Sequence, residues 1–227
     1  MAKSAQGKVR TLYRPVGLGE VVAILEAGAA RFPPRLPEQP IFYPMLTREY
    51  AEQITQGWNA PSAIAGYAGF VTQFQVDAKY AARFKAHVVG SAVHREWWVP
   101  AEQLEEFNQH LVGPIALVSA HYGAGYSGPL PQPMMLKGRS AREQLPLLER
   151  ICQYNGMDFV LEVLVQRVAV QLNFAYWVRT DLTADGLSLA RKVTILHDVQ
   201  AVWKDRFPET TLLGSDELQE LSADLQT

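Results

Sequence analysis

Val9 to Arg14 has the make-up of a short strand. The period then changes. Val21, Ile24 and Leu25 recur at helical spacing between Gly17 and Gly28, which predicts a helix with Gly28 as its stop. Proline density across Phe32 to Pro40 (FPPRLPEQP) requires an extended loop, and Ile41 to Tyr43 reads as a brief strand. Thr47 is placed to cap a helix reaching about Trp58, with Glu49 and Glu52 near its positive end. Tyr67 to Val76 alternates as a strand does. Lys85 to Val99 predicts a β-hairpin whose arms, KAHVV and AVHREWWV, flank Gly90-Ser91 in a type II′ turn. Pro100 then suits the first turn of a helix through His110, with Gly113 beyond it, and Ile115 to Ser119 predicts a closing strand.

The pattern breaks once. From Tyr122 to Gly138 the chain reads YGAGYSGPLPQPMMLKG, a glycine- and proline-rich linker with a stiff path at Pro129, Pro131 and Pro133. Beyond it the signal is helical. Leu145, Leu148, Ile151 and Cys152 form one stripe from Ser140 to Tyr154, ended by Asn155-Gly156. Met157 to Val178 predicts a second helix, although its later half alternates like a strand. Asp181 or Thr183 would cap a third, from Ala184 to Phe207, and the tail from Ser215 predicts a short exposed helix or frayed end. The expectation is therefore an α+β domain over 9–121, a linker over 122–138 and a helical domain over 139–227. Many short strands without regular βαβ alternation argue against a Rossmann-type sheet.

Composition narrows the setting. A chain of 227 residues with 48% hydrophobic content can bury a core in one large domain or two small ones. With 21 Lys plus Arg against 23 Asp plus Glu there is no global field for nucleic acid, which leaves only a local cluster of Lys137, Arg139, Arg142 and Arg150. The single cysteine, Cys152, forbids an internal disulfide and a Cys-built zinc site, and suits a reducing, cytoplasmic setting. The first ten residues lack the apolar stretch of a secretory signal. Asp158, Glu162, Arg167, Gln171 and Asn173 interrupt the most hydrophobic stretch, so no membrane span is expected.

Several strings lack the context their chemistry needs. Gly123 to Gly128 spells GxGxxG, but Pro129 and Pro131 follow where a helix should begin. Gly17-Leu18-Gly19 does join a strand to a helix, yet Val22 stands where a third glycine belongs. Ser127 lacks the second glycine of a nucleophile elbow, and Cys152 on its apolar stripe reads as core. The five histidines, His87, His94, His110, His121 and His197, show no spacing that predicts a metal site.

Two clusters carry chemistry. Arg14, at a strand end in Leu12-Tyr13-Arg14-Pro15, is suited to bidentate binding of an anion, or to pairing with a nearby carboxylate. His94 and Glu96, in HREWWVP, share one face of a strand and form a candidate acid/base or cation-stabilising pair; a solvent-facing polar stripe is the plainer reading.

The strings LYRPVGLGEVVAILEAG, FPPRLPEQPIFYPML with EYAEQI and WN, GYAGFVTQF and REWWVPAEQLEEFNQHLVGPI resemble a bacterial family labelled ADP-ribosylation/crystallin proteins. The resemblance covers roughly residues 11–118. The order of elements is also similar to the ADP-ribosyltransferase fold, a split β-sheet. It implies that NAD is the substrate, that Arg14 opens the site and that Glu96 closes it, with His94 where many members carry Glu or Gln. The middle position falls to Tyr43 or Tyr50. By the same resemblance Tyr13, Arg14, Arg35, Tyr43 and Tyr50 would hold NAD, with the arginines at its pyrophosphate and an aromatic on nicotinamide. Glu96 would stabilise an oxocarbenium-like transition state, and the departure at His94 bears on the acceptor. The helical half would bind a target or protein partner. The competing expectation is a non-catalytic binding module, an immunity or antitoxin-like protein, using Trp97, Trp98, Tyr43 and Trp58 as a recognition surface.

Overall fold

The computed structural model describes residues 8–225, which divide at Gly125/Tyr126 into two units. The first contains β1 (Val9–Gly17), α1 (Leu18–Glu26), β2 (Ile41–Phe42), α2 (Arg48–Ile54), β3 (Ala68–Asp77), α3 (Ala78–Ala81), β4 (His87–Val88), β5 (Arg95–Glu96), β6 (Val99–Pro100), α4 (Leu104–Gln109) and β7 (Ala116–Tyr122). It is a mixed α and β unit with small antiparallel sheets, and the main sheet has the order β1-β3-β7.

β1 and β3 pair along their whole length, from Val9 opposite Asp77 to Gly17 opposite Gly69. Alternation sends Leu12, Arg14 and Val16 to one side, beside Phe74, Thr72 and Phe70. That side meets an aromatic core in which Phe32 packs on Phe42 and Phe74 at 4.8 Å each, and Phe42 on Phe107 at 5.4 Å. On the opposite side Tyr13, Met45 and Val71 pack together with Ala51 of α2.

The long hairpin expected over 85–99 does not form. Only His87–Val88 and Arg95–Glu96 pair, and Val89 donates to the His94 carbonyl to close a wider loop. The rest of the second arm is claimed elsewhere. Leu46 N–H donates to Arg95 O and Trp97 N–H to Pro44 O, while Val99 and Pro100 pair with Phe42 and Ile41. Pro100 thus ends a strand, and the following helix starts as a 3-10 turn at Ala101–Gln103. Thr47 caps α2 as expected, its hydroxyl accepting from Tyr50 N–H, but the helix widens into a π-helical turn at Thr55–Asn59.

The second unit holds α5 (Ala141–Tyr154), α6 (Gly156–Val165), α7 (Arg167–Arg179), α8 (Leu189–Arg206) and α9 (Ser215–Asp224). Ser140 and Glu143 form a capping box on α5, and Leu145, Leu148, Phe174, Trp177, Leu196 and Val199 are buried together. The single helix expected over 157–178 is two, bent by 99° at Gln166. The Gln166 side chain is drawn off to exchange hydrogen bonds with the Gln132 backbone. Ser188, not Asp181 or Thr183, caps α8; Asp181 instead accepts from Thr183 N–H in a 3-10 turn.

The segment read as a linker is largely built into the second unit. Tyr126 donates its hydroxyl to Asn173 at 2.6 Å, and Leu136 is fully buried. Met135 and Leu136 N–H both donate to the buried Glu162 carboxylate. The GxGxxG glycines also serve packing. A side chain at Gly123 would meet the Ala60 carbonyl at 2.0 Å, and one at Gly125 the Tyr67 ring at 2.5 Å. Of the basic cluster considered above, Arg139 pairs with Glu143 and Arg142 with Asp185. No single described helix is long and apolar enough to cross a membrane; α6 and α7 reach that length and composition only as a bent pair.

Candidate functional site

Arg14 is 6% exposed, its guanidinium lying 4.5 Å over the Phe42 ring. Burial of a cation demands a partner, and the β1–α1 turn at Gly17 brings one three residues into the helix. Glu20 accepts from Arg14 Nε on Oε1 at 2.7 Å and from Nη2 on Oε2 at 3.1 Å. Arg35, from the proline-rich loop, approaches the same carboxylate at 3.4 Å and donates to Gln39. Burial alone would raise the Glu20 pKa, but the charges and hydrogen bonds of Arg14 and Arg35 hold it below the ordinary carboxylate value. Arg35 is shifted down by burial and by Arg14.

Glu96 reaches the same region through Met45, which bridges Tyr13 of β1 and Glu96 of β5. Two strand spacings, about 10 Å, separate those backbones. The Glu96 carboxylate is buried (7% exposed) and accepts from neutral donors, Trp98 Nε1 on Oε1 at 2.8 Å and the Tyr50 hydroxyl on Oε2 at 3.3 Å. Burial and the adjacent Glu96 push the Tyr50 pKa up to about 12, so this hydroxyl stays a donor across the working pH range.

His94 stacks on the Tyr50 ring at 4.6 Å. Its Nδ1 accepts from Ser91 N–H, and its Nε2 lies 2.7 Å from Gln53 Oε1. With Ser91 N–H donating to Nδ1, the Gln53 amide oxygen is suited to accept from the Nε2 side of the ring. Both ring nitrogens of His94 thus have partners other than Glu96, while its ring face lies on Tyr50.

These groups line one cleft with two lobes. The larger, about 870 Å³, is bounded by Gly17, Gly19, Glu20, Arg35, Glu38 and Ile64, among others. The smaller, about 590 Å³, includes Met45, Tyr50, Gln53, Val89, His94 and Glu96. Arg14, Pro15, Tyr43, Ile54 and Trp58 line both. Six of the seven candidate residues therefore line this cleft, Arg14 and Tyr43 in both lobes, Arg35 in the larger, and Tyr50, His94 and Glu96 in the smaller.

Tyr13 is the exception. Adjacent strand residues face opposite ways, so placing Arg14 inward turns Tyr13 onto the Met45, Ala51 and Val71 cluster, and it lines neither lobe. The four-aromatic recognition surface does not assemble either, because Trp97 is buried and stacked on Phe84.

Sequence reasoning missed Glu20, Gln53 and the placement of Trp58 and Trp98. Glu20 directly follows the Gly17-Leu18-Gly19 turn that Arg14 leads into, and Trp98 lies two residues beyond Glu96 on an extended segment, which were the available signals. Trp58, 73% exposed, is presented by the π-helical turn. That turn packs so closely on Gly69 that a side chain there would meet Thr55 at 2.8 Å.

Outside the cleft, Glu52 accepts from Ser119 at 2.8 Å and lies 2.7 Å from His121 Nε2. Ser119 also approaches Nε2, so one nitrogen serves both partners and the relay of a hydrolytic triad is not present. Among the described residues no group of three or more His, Cys, Asp or Glu is arranged to hold a metal ion. No protein-family model, characterised protein or solved structure matches the chain.

Proposed function

We propose that the first unit binds NAD in the two-lobed cleft and that Glu96 acts on the nicotinamide ribose, giving an ADP-ribosyltransferase-like activity. The observation that carries this reading is the convergence of Arg14 and Glu96, from β1 and β5, on one cleft with Tyr43, Tyr50 and Trp58 in its walls. A desolvated carboxylate beside an aromatic pocket suits a developing positive charge, and the arginines suit phosphate oxygens.

In this reading the bond from ribose C1′ to the nicotinamide nitrogen breaks, and its electron pair leaves with nicotinamide. Glu96 stabilises the oxocarbenium-like centre. Water or an acceptor nucleophile then bonds to C1′ and loses its proton. Support for a partner-binding role of the second unit comes from Tyr154, Met157 and Leu161, which stand exposed around the α5–α6 junction.

One observation favours the second reading, a non-catalytic binding module of the immunity or antitoxin kind: Glu20 already occupies two donors of Arg14. Incubating the full chain with NAD labelled in its ADP-ribose part, alone and with cell lysate, separates the two. The enzyme reading expects nicotinamide release or label transfer, reduced about 100-fold or more in Glu96→Gln. Wild-type protein that does neither leaves the binding module.

A further inference from the structure

We infer that Trp98 is the positioning residue for the Glu96 carboxylate, an assignment that rests on the proposed action of Glu96 on NAD. Glu96 and Trp98 lie two residues apart on extended chain, so their side chains share a face, while Trp97 between them turns into the core. The indole N–H reaches back to Glu96 Oε1 at 2.8 Å, the shorter of the two bonds this carboxylate accepts from side chains.

The indole is itself fixed. His87 stands opposite Glu96 in the β4–β5 pair and stacks on the Trp98 ring at 4.2 Å with 9° between the planes. Trp98 is 46% exposed and lines neither lobe, so ligand contact does not explain its placement. What the ring does is hold one carboxylate oxygen. The carboxylate plane is then set, and Oε2, on its longer bond to Tyr50, is the oxygen left to meet a ribose hydroxyl.

A neutral donor suits this task. A cationic partner such as Arg or Lys would also fix the carboxylate, but it would cancel the negative charge that the transition state needs. An indole N–H fixes the group and leaves that charge in place.

The test uses the full chain. Trp98→Phe keeps an aromatic ring over His87 and deletes the donor. The expected result is a 10- to 100-fold fall in kcat for nicotinamide release, with KM for NAD within about twofold. Trp98→His places a ring N–H three bonds beyond Cβ, as in Trp, and should recover part of the loss. A Trp98→Phe enzyme with unchanged kcat, or a loss entirely in KM, overturns the inference.

The contact is read separately from activity by the indole 1H–15N signal that Trp98→Phe removes. That signal should shift in Glu96→Gln, and a signal indifferent to this change overturns the positioning. A shift seen in a protein inactive on NAD would sustain the contact and count against the proposed function alone.

Discussion

Arg14 and Glu20 are joined by two hydrogen bonds, 2.7 Å and 3.1 Å, with side chains only 7% and 19% exposed. A pair so enclosed is judged by what happens when one partner goes. Glu20→Ala leaves Arg14 and Arg35 facing each other in the wall of the cleft. We expect a loss of roughly 3 kcal/mol, because an uncompensated buried charge remains. Denaturant unfolding measures it, and a change under about 0.5 kcal/mol would show that water replaces the carboxylate freely.

The same pair sets an acid limit. Glu20 has a folded pKa below its unfolded value of about 4.5, so its contribution is complete above that value and is lost as pH falls through the folded pKa. Glu52, lowered against its own burial by hydrogen bonds from His121, Ser119 and Arg48, adds in the same direction. Stability should therefore fall with acid below about pH 4.5, and Glu20→Gln should flatten that slope. Urea midpoints at a series of pH values test this, and equal slopes in the two proteins would refute it.

Trp58 touches both lobes while remaining 73% exposed, so it bears little on folding. Trp58→Ala should change stability by no more than about 0.5 kcal/mol. Stacking of an aromatic ring on a base is worth roughly 1–3 kcal/mol, so NAD affinity should fall at least fivefold. Titration calorimetry decides it, and equal affinity would remove Trp58 from the site.

Glu162 is fully buried and accepts from Met135 N–H, Leu136 N–H and Gln166 Nε2. Glu162→Ala strands two backbone donors at once, each costing about 1–3 kcal/mol. Limited proteolysis should then cut within 126–138 at least ten times faster than in the wild type. Unchanged cleavage would mean that the segment is held by Leu136 and Tyr126 alone.

Gly123 faces a backbone carbonyl at 2.0 Å from any added Cβ, and backbone cannot rotate aside as a side chain can. Gly123→Ala should cost more than the usual small effect of this exchange, about 2 kcal/mol or above. Thermal unfolding checks it; a neutral variant would show that the turn shifts without penalty.

Local chemistry made much of this legible in the chain itself. Alternation around Leu12 and Val16, the Thr47 cap and the Ser140–Glu143 capping box depend on residues a few positions apart, so the sequence contains both partners. The same holds for Arg14 and Glu96 as the chemically distinctive residues of their strands. What depends on distant partners was not legible. The hairpin over 85–99 shortened because Pro44, Leu46 and Phe42 compete for its second arm. The linker became part of a helical unit because Glu162 and Asn173 offer its backbone and Tyr126 buried partners.

The amino-acid order thus determined most of the periods and the Thr47 cap, and it marked an arginine and a carboxylate as the groups to watch. Tertiary structure alone decided that Arg14 is bridged to Glu20, that Glu96 is gripped by Tyr50 and Trp98, and that Tyr13 turns away. Hydrogen bonds and ion pairs act over about 3 Å. Only the folded chain brings residues from separate strands and helices within that range.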